Sequence, residues 1–250
     1  MSMFFKTVFL FLSLLLVPAG NATQMKELIG VQDEWAPFAM SGENKGIAVD
    51  IVTEALKSQG YRLRFKMMPF ARAIHEVKRS RVDILVATWL TEERTEYLSY
   101  SHPYFYNSVK FIKRKGDGFE YFGMNSLEGK VVGIVRSYGY GDEFTNSPLF
   151  ERHPVVDTLG NLKKLEAGRI DLTLEEPLVA KHIMRNAGMD VDQFAFTKNA
   201  LSINALHVSI SNKHPNANNI LRAFNIGLKE IKKNGTYWEI LVKYGLEAGD

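Results

Sequence analysis

The sequence predicts an α/β fold, and three observations carry that prediction. Strand-like and helix-like segments alternate along most of the chain. The run Val82 to Ala87, interrupted only by Asp83, suits a central, doubly covered strand. The alternation occurs twice, on either side of the charged, glycine-containing stretch Lys113 to Gly118. A sandwich or a helix bundle shows no such alternation.

In the first unit, Leu28 to Val31 reads as a short buried strand. Val49 to Ser58 has apolar residues at 49, 51, 52, 55 and 56, one stripe of a helix, and Gly60 stands where that helix ends. Tyr61, Leu63, Phe65 and Met67 alternate with Arg62, Arg64 and Lys66, the period of a half-buried strand. A helix from Phe70 to Arg79 and the strand Val82 to Ala87 complete a mostly parallel βαβαβ unit, whose last strand ends on Thr88, Trp89 and Leu90.

The second unit repeats the alternation. Val131 to Val135 is a strand introduced by the turn Glu128-Gly129-Lys130. Leu159 to Ala167 is a helix ended by Gly168, Ile170 to Leu174 a strand, and Pro177 to Ala187 a helix with proline in its first turn. Leu206 to Ile210 reads as a further strand. Helices over Asn218 to Lys233 and Tyr237 to Tyr244 close the chain, separated by the stop signal Asn234-Gly235. Ligands of open α/β sheets bind beyond the carboxyl ends of strands, which directs attention to Thr88 to Arg94 and Glu175 to Pro177.

Composition narrows the function. The 250 residues hold 31 Lys plus Arg against 28 Asp plus Glu, a formal charge of +3, too mild and dispersed for a nucleic-acid partner. With no cysteine, disulfides, thiolate nucleophiles and Cys-based metal sites are excluded. The six histidines lack metal-ligand spacing, so neither a metal nor another cofactor is expected. Nucleotide-binding and nucleophile-elbow motifs are absent. Met1 to Lys6 is a short positive segment and Val8 to Val17 an apolar run about half the length that spans a bilayer. Gly20-Asn21-Ala22 then supplies small residues. Together they read as a signal peptide cleaved near Ala22, leaving a soluble, extracytoplasmic chain expected to act as a monomer.

At this point the sequence resembles the family 3 periplasmic solute-binding proteins, the amino-acid receptors of ABC importers. The matching pieces include Trp35-Ala36-Pro37-Phe38, Gly46 to Ile51, Arg81-Val82-Asp83-Ile84, Thr91-Glu92-Glu93-Arg94 and Tyr100 to Tyr104. Further along come Leu127 to Gly133, Gly168-Arg169-Ile170-Asp171 and Asn234-Gly235-Thr236-Tyr237. Each is weak alone; in this order they span essentially the whole chain after the signal. The resemblance implies a two-lobed type II binding-protein fold, each lobe a mixed sheet flanked by helices, with two hinge crossings. Lobe 1 would comprise residues 23–106 and 207–250, and lobe 2 residues 107–206. It also implies a small-molecule ligand, a periplasmic location, and a membrane permease or a sensor as partner.

The resemblance assigns roles residue by residue. Arg94 matches the arginine that holds the ligand's α-carboxylate, a role suited to its planar donor fork. Read alone, it is a solvated charge in a short helix capped by Thr91. Glu176, five residues after Asp171, matches the acid that receives the ligand's ammonium group. Read alone, it is a helix-start acid before Pro177. Glu175 is the weaker candidate, since neighbours on a strand point to opposite faces. Trp35 and Phe70 match the aromatic walls, and Arg72 is a candidate second anion contact.

Two departures stand out. The family's Ser or Thr five residues before its arginine is here Trp89, with Thr88 beside it, and the family's Gly-Thr-Thr segment is here Ser137-Tyr138-Gly139. All four bulky or displaced residues, Thr88, Trp89, Ser137 and Tyr138, therefore join the candidate ligand surface. The leading expectation is a receptor for an amino acid or related carboxylate, without catalysis. The alternative is a periplasmic lyase similar to cyclohexadienyl dehydratases, in which Glu176 would be a general acid and Arg94 and Arg72 would clamp carboxylates. A third is an exported α/β domain that signals or scaffolds without binding a small molecule.

Overall fold

A computed structural model describes residues 25–136 and 138–246. The expected signal peptide and Ser137 lie outside the described residues. The first unit forms as its periodicity predicts. Strand β1 (Lys26–Gln32) pairs in parallel with β2 (Tyr61–Met67), from Lys26 opposite Tyr61 to Gln32 opposite Met67, and with β3 (Ile84–Trp89) on its other side. Helices α1 (Ile47–Ser58) and α2 (Phe70–Lys78) make the crossovers. A short helix α3 (Glu92–Thr95) and strand β4 (Leu98–Tyr100) follow.

Strand β5 (Phe105–Arg114) then leads into the second unit. This contains β6 (Val131–Val135), α4 (Asp142–Asn146), β7 (Glu151–Val155), α5 (Thr158–Glu166), β8 (Leu172–Glu175) and α6 (Pro177–Asn186). The chain returns through β9 (Phe194–Ser211) and ends in α7 (Ala217–Lys233) and α8 (Thr236–Lys243).

One curled sheet runs through the molecule in the order β2-β1-β3-β9-β5-β8-β6-β7, with β4 on β9. Pairing is parallel at both outer parts, as expected, and antiparallel at the centre, where β9 meets β3 and β5, and β5 meets β8. The reason is the route of the chain: β5 carries it out of the first unit and β9 brings it back. The sequence reading missed most of this pair. Asn107 and Ser108 interrupt the apolar pattern of β5, and only the last third of β9 has a plain strand pattern. Strand β7 was missed for a related reason: it is an edge strand, where Pro154 is tolerated because no ladder bond is lost.

Each unit has its own core. In the first, α1, α7 and α8 cover one face of the sheet with Ile51, Val52, Leu56, Phe224 and Leu228, and α2 covers the other with Ala73 and Val77. Helices α1 and α7 approach so closely that a Cβ on Gly227 would stand 1.9 Å from the Ala55 carbonyl oxygen. In the second, Phe111, Val132, Phe144 and Leu174 fill one face, and Ile112, Leu162, Leu165, Ala180 and Met184 the other. The two cores meet at α6, whose Val179, Leu178 and Ile183 pack against the first.

Candidate functional site

The ends of β3 and β8 gather most of the candidate residues into two groups. In the first group, the turn at Trp35 is closed by its own N–H to the Ala39 carbonyl at 2.9 Å. This sets the indole 4.6 Å from Phe38 and edge-on to Trp89 at 5.9 Å. Trp89 and Thr88 are strand neighbours and point to opposite sides. Trp89 takes the side shared with Trp35. Thr88 is 1% exposed, and its hydroxyl accepts from Ser209 Oγ at 3.0 Å inside the sheet. The Thr88 hydroxyl, a candidate for the ligand surface, is turned into the strand pairing of β3 with β9.

Arg94 is held from three directions. The Thr91 hydroxyl caps α3 by accepting from the Arg94 N–H at 3.3 Å. One guanidinium nitrogen donates to the Trp89 carbonyl at 3.2 Å, and the guanidinium lies 5.2 Å from the Phe70 ring centroid, at the start of α2. That geometry suits a cation–π contact and leaves the other donors of the fork for an anion. At Trp89, the position where the family carries a Ser or Thr, it is the backbone carbonyl that anchors the arginine. Arg72, two residues after Phe70, is exposed, and no hydrogen bond or ion pair among the described residues ties it to this group.

The second group lies where β6 and β8 end. Glu176 leaves the strand to cap α6: its Oε2 accepts from the Val179 N–H at 2.9 Å, with Pro177 at the first helical position. Glu175 turns the other way, under α5. Its Oε2 accepts from the Thr158 hydroxyl at 2.8 Å and its Oε1 from the Glu176 N–H at 2.9 Å. Both carboxyls are buried, at 7% and 6% exposure, and burial raises both above the usual carboxylate range. Glu176 is pushed up to about 7; the neighbouring Glu175 charge adds to the effect of burial, while backbone N–H groups and Lys181 oppose it.

Tyr138, in the segment after β6, is half exposed, its ring 6.1 Å from that of Tyr140. Burial, and then the charge of Glu175, raise both phenols; the Tyr140 hydroxyl also accepts from the Val135 N–H at 3.0 Å. The sequence reading passed over Thr158 and Tyr140 and ranked Glu175 low. The consecutive acids Glu175-Glu176 before Pro177 were the signal that pointed there. Among the described residues no cluster of three or more His, Asp and Glu side chains is placed to hold a metal ion, and no helix is long and apolar enough to cross a membrane.

A two-unit α/β protein joined by two central strands, with an anchored arginine on one unit and buried acids on the other, has the architecture of a two-domain binding protein. The chain belongs to the bacterial extracellular solute-binding proteins, family 3, whose sequence model matches residues 28–247. It is 25% identical to the arginine-binding periplasmic protein of Mannheimia haemolytica over 233 residues, covering 88% of this chain and 92% of that protein. It is 22% identical to the L-cystine-binding protein TcyJ of Escherichia coli (strain K12), covering 90% and 86% of the two chains. Solved structures share the fold. Substrate-binding domain 2 of Lactococcus lactis GlnP, in an open conformation, superposes with a TM-score of 0.69 at 21% identity, covering 88% of this chain and 95% of that one. An ancestral arginine-binding protein bound to arginine gives 0.65 at 22%, covering 89% and 99%. A histidine kinase sensor domain gives 0.67 at 18%, covering 90% and 99%.

Proposed function

We propose that this chain captures an amino acid, or a related small carboxylate, in the periplasm and presents it to the permease of an ABC importer. The observation that carries the reading is the pairing of opposite chemistries on the two units: the Arg94 guanidinium, anchored on the Trp89 carbonyl and over Phe70, and the buried Glu176 carboxyl at the start of α6. The first suits a carboxylate and the second an ammonium group, and an α-amino acid carries both.

In this reading lobe 1 is residues 23–106 with 207–250 and lobe 2 is residues 107–206, so β5 and β9 are the hinge. Ligand docks on lobe 1, its carboxylate on Arg94 and its side chain against Trp35, Phe70 and Trp89. Lobe 2 then closes, bringing Glu176 and Tyr138 to the ligand. Closure is driven by the ligand's higher affinity for the closed form. Arg72 serves as an outer anion contact. The names of the relatives support an amino-acid ligand and a periplasmic site of action. They are binding proteins, which supports capture over the lyase alternative.

The test is a thermal-shift screen of residues 23–250 against the L-amino acids and ornithine, with prephenate included. At ligand about 100-fold above Kd, binding adds roughly 2.7 kcal/mol, a rise of several degrees for a chain of this size. An amino acid that stabilises the protein, loses its effect in Arg94→Ala and compacts the protein in solution scattering is the expected result. Conversion of prephenate, lost in Glu176→Gln, would overturn it in favour of the lyase.

A further inference from the structure

Glu175 and Glu176 are consecutive, and each is more than nine-tenths buried. The groups that face them come from every neighbouring element. Helix α5 contributes the Thr158 hydroxyl and, at the same helix end, Asp157; the segment after β6 contributes the phenols of Tyr138 and Tyr140; α6 itself carries Lys181. On β5, Lys110 stands opposite Glu175 in the strand register. Among the described residues no cation lies within 4.0 Å of either carboxyl, so neither is in an ion pair. A buried pair of acids without a cation takes up a proton or waits for a cation from outside. Hydrogen-bond donors are already placed: Glu175 uses both oxygens, on Thr158 and on the Glu176 N–H, and Glu176 uses one on its own helix.

Resting on the reading of Glu176 as the acid that meets the ligand's ammonium group, we infer that the empty site holds a proton on this pair, and that ligand capture expels it. Glu175 is then a positioning residue: it fixes the junction of β8 and α6, and its charge adds to the burial that raises its neighbour. The exchange is simple. The Glu176 carboxylic acid releases its proton to solvent, and the carboxylate left behind pairs with the incoming ammonium group, so the net charge of the buried site is unchanged by the exchange. The raised titration of both acids agrees with this. Binding therefore weakens in acid, by roughly tenfold per pH unit below about 7 while one proton is displaced.

The experiment takes the amino acid that stabilises the protein most in the screen at about pH 8.5 and measures its Kd by calorimetry down to about pH 5.5, in buffers of different ionisation enthalpy. Release approaching one proton per ligand near pH 6, and a profile whose midpoint moves to lower pH in Glu175→Gln, are expected. In parallel, carbon-13 spectra of the ligand-free protein labelled at the glutamate carboxyls should show one group titrating near neutrality that Glu176→Gln removes. A Kd that ignores pH, or the absence of that carboxyl signal, overturns the inference and leaves the receptor reading standing. Absence of any amino-acid binder at both pH extremes overturns the receptor reading, and the inference with it.

Discussion

The two halves of the candidate site solve the problem of holding charge in opposite ways. Arg94 sits at a partly open edge, propped by a backbone carbonyl and an aromatic face, and a guanidinium stays charged at any physiological pH. Glu176 sits inside, where burial costs the charged form so much that its titration rises to about 7. One half is a fixed charge on a short capped helix; the other is a conditional charge at the start of a long one. Of the two groups, the carboxyl is the one whose titration burial raises.

The largest expected effect breaks the fixed half. Arg94→Ala removes the fork for the carboxylate and should weaken amino-acid binding at least about a hundredfold, consistent with roughly 1.5 to 3 kcal/mol for each charge-assisted bond lost. Isothermal calorimetry checks it, and the ligand-free melting temperature should hardly move, because Arg94 is in no ion pair among the described residues.

Glu176→Gln sharpens the comparison through stability. The folded-state value of Glu176, about 7, lies above its ordinary 4.5, so the folded protein binds this proton more tightly than the unfolded chain does. The stabilisation is complete below about pH 4.5 and declines as pH rises through 7. Urea unfolding should therefore show the variant gaining on the natural protein as pH rises from about 5 to 8, by on the order of 3 kcal/mol. A gap that does not change with pH would mean that the acid is not buried in solution.

Gly227→Ala tests whether the two cores are independent. A methyl group 1.9 Å from the Ala55 carbonyl oxygen forces α7 away from α1, at a cost of roughly 1 to 3 kcal/mol. Hydrogen exchange should rise in α1, α7 and β1, with α5 and β8 little affected. The smallest effect expected is that of Thr158→Val, which removes one donor to Glu175 and costs about 1 kcal/mol. It should also raise the pH midpoint of ligand binding, the reverse of Glu175→Gln.

Much of this was legible in the chain. Periodicity located β1, β2, α1, α2 and β3, and the stop at Asn234-Gly235 separated α7 from α8. Ordered motifs pointed to Arg94 and Glu176 at the ends of β3 and β8. These readings succeed because a helical stripe, a cap or a strand end depends on residues a few positions apart. The antiparallel centre of the sheet was not legible, because β5 and β9 acquire their strand character from each other, Phe105 against Leu206 at one end and Arg114 against Phe194 at the other. The orientation of Thr88 into the sheet, the contact of Trp35 with Trp89 and the meeting of Thr158 with Glu175 were settled in the same way. The sequence by itself determined the outer helices and parallel strands and the charged groups that follow their ends. Only the tertiary structure decided which of those groups lost water, because burial is set by neighbours distant along the chain, as Glu175 and Glu176 show.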